Sequence, residues 1–259
     1  MPRKARGKSS TGTYHTIVRG VGQKDIFHDK EDRKRYLEIL TKVKHTTPYT
    51  LLGYCLMTNH VHLLIKEGQD AIGKVMGSIG ISYAYWYNKK YQRVGHLFQD
   101  RYKSENVEDE GYLLTVLRYI HQNPVQANMV KAVGDYPWSS YRAYIENDKK
   151  TYPEPLVDPR IVMDIFKSNN KDAIRQFMEF TETENEDRCL DEDGIIRVTD
   201  NEAQEHLLTL LKGLSSEDLR NMKKSQRNEL LREMKSVEGI SIRQIERLTG
   251  IGRNIIANA

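Results

Sequence analysis

The apolar positions along the first 145 residues switch between two periods. Thr13-Tyr14-His15-Thr16-Ile17-Val18 is β-branched and aromatic, which predicts a strand. Asp29 with Asp32 three residues on marks a helix start, and Tyr36, Ile39, Leu40 and Val43 then recur at helical spacing until Pro48. Two apolar runs, 50–57 and 60–65, flank Thr58-Asn59, a separation that suits a tight hairpin. Ile72, Met76, Ile79, Tyr83 and Trp86 alternate by four and three, predicting a helix over roughly 70–90 whose glycines 73, 77 and 80 weaken it but allow close packing. A strand near 101–107 and a helix from Asp109 to Pro124, which cannot continue it, complete the series. The order β-α-β-β-α-β plus a further helix predicts an α+β fold, an antiparallel sheet covered by helices in the ferredoxin-like split βαβ arrangement.

This pattern closes near Trp138-Ser139-Ser140-Tyr141. Three prolines at 153, 155 and 159 read as a connection, 161–180 as an amphipathic helix, and 182–193, with seven acids against Arg188 alone, as a solvated link. Leu207, Leu208, Leu211, Leu230, Leu231 and Met234 then supply the core of a small all-α domain. Ser241 to Arg253 shows a short amphipathic helix, a glycine turn and a new helix start, the pattern of a helix-turn-helix or of any αα-hairpin. The expected organisation is 1–147 as the α+β domain, 148–200 as a linker carrying one helix, and 201–259 as the helical domain.

Charge changes the picture because it is unevenly placed. Residues 1–150 carry 24 Lys and Arg against 15 Asp and Glu, whereas the remainder carries 16 against 21, so the basic half is the α+β one. It also holds 14 of the 15 tyrosines, a mixture that suits nucleic acid and equally a tyrosine-rich core. Two distant cysteines, Cys55 and Cys189, make no disulfide framework, and the absence of a long apolar run or secretory leader leads to the expectation of a cytoplasmic protein without membrane contact.

Two pairs of residues can carry chemistry. His60 and His62 flank Val61 on a strand, so both imidazoles point to one face and can share a metal; ordinary strand histidines share that spacing, and two ligands do not complete a site. Tyr119 and Asn123 lie four apart near the end of a helix whose core stripe is Leu113, Val116, Leu117 and Ile120, a spacing that Pro124 renders approximate. A half-buried tyrosine and a helix-terminal asparagine would look the same. His15, His96 and His121 read as hydrogen-bonded structural histidines, and Tyr83, Tyr85, Tyr87 and Tyr91, which rotate around their helix, read mostly as packing.

Four blocks occur in order: Tyr14-His15-Thr16-Ile17-Val18-Arg19-Gly20, Met57-Thr58-Asn59-His60-Val61-His62-Leu63-Leu64, the segment from Gly95 to Ser104, and Tyr119-Ile120-His121-Gln122-Asn123-Pro124-Val125. With Trp138-Ser139-Ser140-Tyr141, the chain over about residues 10–145 resembles the single-tyrosine HUH transposases, particularly their REP-associated tyrosine transposase branch. It departs from them at Thr58, where proline is common, and in its C-terminal helix-turn-helix, which many relatives lack. The resemblance implies a divalent cation, Mg²⁺ or Mn²⁺, on His60, His62 and Asn123, with Tyr119 as the nucleophile. It further implies cleavage and rejoining of single-stranded DNA hairpins through a 5′-phosphotyrosine, in a monomer or a homodimer. Arg19, Arg101 and Lys103 match cationic positions of its blocks, and Arg243, Arg253 and Asn254 are the corresponding candidates for duplex contacts in the helix-turn-helix. The competing readings are a non-transposing, sequence-specific DNA-binding regulator derived from the family, and a metal-dependent hydrolase that uses water in place of Tyr119.

Overall fold

The computed structural model describes residues 7–145, 156–166, 170–185, 187, 189–190, 200–211, 218–219, 222–237, 242–257 and 259. Its strands are β1 (Thr13–Arg19), β2 (Tyr49–Leu56), β3 (His60–Glu67) and β4 (Lys103–Val107), interleaved with α1 (Lys30–Thr46), α2 (Ile72–Lys90) and α3 (Glu110–Gln126). All strand pairs are antiparallel, in the order β2-β3-β1-β4. This is the split βαβ order anticipated from the apolar periods, with β1 in the interior and the histidine strand β3 beside it.

Strand alternation divides the sheet into two faces. On one, Thr16 Oγ1 reaches the Met76 sulfur of α2, and α1 joins α2 through the Tyr36 and Tyr83 rings, whose centroids are 4.9 Å apart. α1 begins where expected: the Asp32 N–H donates to the Asp29 carboxylate, and the Asp29 N–H donates to that of Asp32. α3 takes the other face. Its Leu117 lies so near Gly53, beside a bulge in β2, that a Cβ on Gly53 would fall 2.5 Å from Leu117 Cδ1. Glycine there lets α3 approach the sheet.

Three local expectations are corrected. α3 runs through Pro124 to Gln126: the missing N–H removes one bond of the ladder, but the Ala127 N–H still closes on the Asn123 carbonyl at 2.9 Å. The glycines of α2 do not serve close packing, since a Cβ at Gly77 would meet nothing within 4 Å and one at Gly80 only Phe98 at 3.9 Å. The helix read over 161–180 is instead α5 (Arg160–Met163), a 3₁₀ turn (Asp164–Phe166) and α6 (Asn170–Glu182), following the short α4 (Arg142–Ile145). Residues 167–169, between these pieces, lie outside the described residues.

The chain forms two compact units, Met1–Asp191 and Glu192–Ala259. The described part of the segment read as a linker packs within the first unit: Phe177 stacks on Tyr144 at 4.7 Å, and the Asp158 N–H donates to the Leu51 carbonyl of β2 at 2.9 Å. The acidic stretch read as solvated also has partners there. Asp187 takes two bonds from the Arg118 guanidinium at 2.7 and 2.9 Å, and Asn185 donates to Gln122. Acid count alone misleads because α3 presents its own polar side chains outward to receive this segment. In the second unit, α7 (Asp200–Leu211), α8 (Lys224–Ser236), α9 (Ile242–Thr249) and α10 (Arg253–Ala257) enclose Leu207, Leu231, Met234, Ile245, Ile251 and Ile256. Among the described residues no helix is long and apolar enough to cross a membrane.

Candidate active site

Alternation on β3 places His60 and His62 on the α3 face, their ring centroids 4.9 Å apart. His62 is fully buried and His60 nearly so. Each ring is oriented through Nδ1. Asn59 Nδ2 donates to the Gln23 carbonyl, which turns Asn59 Oδ1 toward His60 Nδ1 at 2.6 Å as an acceptor. That bond puts the His60 proton on Nδ1 and the lone pair on the buried Nε2. His62 Nδ1 lies 3.0 Å from His15 Nε2, and His15 Nδ1 lies 2.6 Å from Glu105 Oε1.

α3 delivers the tyrosine. The Tyr119 ring stands edge-on to both His62, at 5.8 Å and 80°, and His15, at 6.1 Å and 69°. One turn later, Asn123 Nδ2 donates to the Tyr119 carbonyl at 3.2 Å, so the amide spends its donor locally and keeps Oδ1 as the side-chain oxygen for other uses. Tyr119 is 5% and Asn123 8% exposed. The structure therefore brings His60, His62 and Tyr119 to one buried floor, with Asn123 one helical turn away on the same helix.

The cationic candidates divide by place. Arg19, half-buried at the end of β1, is the register partner of His60. Lys103, exposed, pairs with Ile17 and therefore shares the histidine face. Arg101 is exposed just before β4. In the second unit Arg253 and Asn254 are exposed on α10, Arg253 with its Nε 3.1 Å from Glu246; the Arg243 side chain lies outside the described residues. α10 has five residues, and the turn before it carries Gly250 at φ 67°, a left-handed angle that suits glycine.

Of the remaining histidines, His121 is structural as expected: buried, with Nε2 2.8 Å from Ser140 Oγ, and held neutral by desolvation that pushes its pKa down to about 3. His96 is exposed. Tyr83 and Tyr87 are packing residues, whereas Tyr85 is 73% exposed. Sequence reasoning assigned His15 a structural role and overlooked Glu105. Both become visible through cross-strand register, which pairs His15 with Glu105 across β1 and β4. Tyr112, the other tyrosine on this part of α3, donates to Glu105 Oε2 at 2.9 Å; burial first, then the neighbouring Glu105 charge, raises its pKa far above the ordinary phenol value.

Residues 8–123 match the family model described as Transposase IS200 like. A Haemophilus influenzae protein named as a REP-associated tyrosine transposase is 25% identical over 118 residues, 41% of this chain and 66% of its own length, so the chain spans just under two thirds of that relative. A solved structure of a REP-associated tyrosine transposase bound to a REP hairpin aligns with a TM-score of 0.50 at 18% identity, covering 59% of this chain and 89% of that one, a likeness of fold. The segment similar to the transposase IS200-like family, residues 8–123, takes in the sheet, its histidine strand and the part of α3 that carries Tyr119.

Proposed function

We propose that this chain cleaves and rejoins single-stranded DNA hairpins, with Tyr119 as the nucleophile, and so mobilises short palindromic repeats. The observation that carries the proposal is the Tyr119 ring set edge-on to His62 on the floor that His60 shares. The H. influenzae relative's name and the hairpin held by the aligned structure support the same substrate class.

His60, His62 and Asn123 would hold the divalent cation. Two imidazoles and a neutral amide oxygen suit several divalent ions, Zn²⁺ and Ni²⁺ included; Mg²⁺ or Mn²⁺ is the choice the family resemblance implies, and three protein donors would leave room in its shell for phosphate and water. Asn123 Oδ1 would be the third protein donor beside the two imidazoles. Bound there, such an ion supplies positive charge to a non-bridging phosphate oxygen.

The rest falls to the chain. A phenol of ordinary pKa about 10 is a weak nucleophile at neutral pH, so it has to be placed in line with the scissile bond. The Tyr119 oxygen loses its proton to solvent and forms a bond to phosphorus; the bond from phosphorus to the 3′ oxygen breaks, and that oxygen takes up a proton. The products are a 5′-phosphotyrosine and a free 3′-hydroxyl, and a second 3′-hydroxyl reverses the exchange without an external energy source. Arg19, Lys103 and Arg101 would grip the strand's phosphates. The buried state of Tyr119 and Asn123 means that DNA reaches them only when neighbouring side chains move. In the second unit, α9 and α10 would read duplex DNA through Arg243, Arg253 and Asn254.

The test is incubation with labelled single-stranded palindromes taken from the DNA beside the gene, with Mn²⁺, followed by a denaturing gel. A covalent protein–DNA adduct is expected. A shift on native gels without any cutting would indicate a DNA-binding regulator, and cutting without an adduct a hydrolase that uses water.

A further inference from the structure

A hydrogen-bond chain of Glu105, His15 and His62 backs the candidate metal site. Glu105 is partly buried, and its oxygens already accept from the Leu190 N–H at 3.2 Å and the Tyr112 hydroxyl at 2.9 Å. Burial works to raise its pKa, but the interaction with His15, with those two donors, outweighs it and holds the carboxyl below its ordinary value. An ionised carboxylate has nothing to donate, so His15 Nδ1 must donate to it across 2.6 Å. Reserving His62 Nε2 for a cation puts the His62 proton on Nδ1, which then donates across 3.0 Å to the Nε2 lone pair of His15.

We propose that Glu105 and His15 are positioning residues for the metal site: they fix the His62 proton on Nδ1 and thereby reserve the Nε2 lone pair for the cation. The inference rests on the reading of His62 as a metal ligand. The geometry behind it is built into the sheet. His15 and Glu105 are direct cross-strand partners on β1 and β4, and His62 lies diagonally across β1 and β3, where His15 is paired with Leu64 and His62 with Ile17. The His15 and His62 rings stack at 5.3 Å and 21°, so the same bond that selects the tautomer also sets the ring plane. His60 reaches the same tautomer through the shorter route of Asn59. The two ligands are thus prepared alike by different partners. A hydrogen-bond partner behind a ligating imidazole, here His15 backed by the Glu105 carboxylate, raises its basicity and fixes its orientation, and loss of such outer partners costs about 10- to 100-fold in metal affinity.

Two measurements on the full chain test the relay. In metal-free wild-type protein with ¹⁵N-labelled histidine, long-range ¹H–¹⁵N spectra should show the His62 proton on Nδ1; a proton on Nε2 would overturn the proposal. Mn²⁺ titration followed by the electron paramagnetic resonance of free Mn²⁺ should show Glu105→Gln binding about 10- to 100-fold more weakly than wild type, with an unchanged urea midpoint as the check on folding. Equal affinities would also overturn it. A wild-type chain that takes up no Mn²⁺ would overturn the metal reading itself, and the tautomer spectrum, recorded without metal, judges the relay independently of that result.

Discussion

The Tyr119 ring meets the His62 ring edge to face, with centroids 5.8 Å apart and planes at 80°. The contact is made by the ring and needs no hydroxyl. Tyr119→Phe should therefore keep the ring packing and lose no more than about 1.5 kcal/mol, the cost of one hydrogen bond, whereas Tyr119→Ala should cost about 3 kcal/mol by opening a cavity beside the histidines. Urea denaturation measures both. A large loss in the phenylalanine variant would mean that the hydroxyl holds the fold.

Replacing His60 or His62 by Ala should abolish cleavage in Mg²⁺ or Mn²⁺ while preserving most hairpin affinity, because affinity comes from many phosphate contacts and the ion acts at one phosphate. Chelator should reproduce both effects. Asn123→Ala should be milder, since water can stand in for a neutral amide oxygen, and excess Mn²⁺ should restore part of its activity. Cleavage assays beside filter-binding on the same samples separate the two quantities. Cutting that survives chelation would remove the metal from the account.

His121 makes stability depend on pH. Its folded pKa is about 3 because burial disfavours the charged ring, against about 6.5 when unfolded. Between these values the unfolded chain binds the extra proton, so stability rises with pH through that window and falls on acidification. The contribution is about 1.4 kcal/mol per pH unit well below 6.5. Urea curves at pH 5 and 7.5 should show a larger acid loss for wild type than for His121→Gln, and parallel curves would contradict the assignment.

Two glycines should respond with opposite signs. Gly77→Ala adds a methyl to open space on a helix and should stabilise by about 0.5–1 kcal/mol. Gly53→Ala sets a Cβ against Leu117 Cδ1 and should destabilise by about 1–3 kcal/mol while displacing α3, and with it Tyr119. Thermal unfolding of the two variants decides whether α3 is seated as described.

The element order and the sheet were legible because each strand and helix keeps its own apolar period. The end of α3 was not, since Pro124 stops the apolar reading there while tertiary context, which sequence periodicity does not contain, carries the helix on to Gln126. His60 and His62 could be paired from spacing alone, because alternation is local. Glu105 and His15 could not: they are 90 residues apart, and only the β1–β4 register makes them neighbours. The packed stretch around Asp187 was hidden for a similar reason, as its partner Arg118 belongs to α3.

The most direct test of the account is where the DNA goes. A hairpin substrate labelled at its 3′ end is incubated with the protein and Mn²⁺, and the product is digested with trypsin and sequenced by mass spectrometry. Attack by Tyr119 predicts the label on the peptide from Tyr119 to Lys131, with the phosphate on the tyrosine oxygen, and no labelled peptide from Tyr119→Phe. A labelled fragment released with a free 5′-phosphate, or a nucleotide on any other peptide, would contradict it.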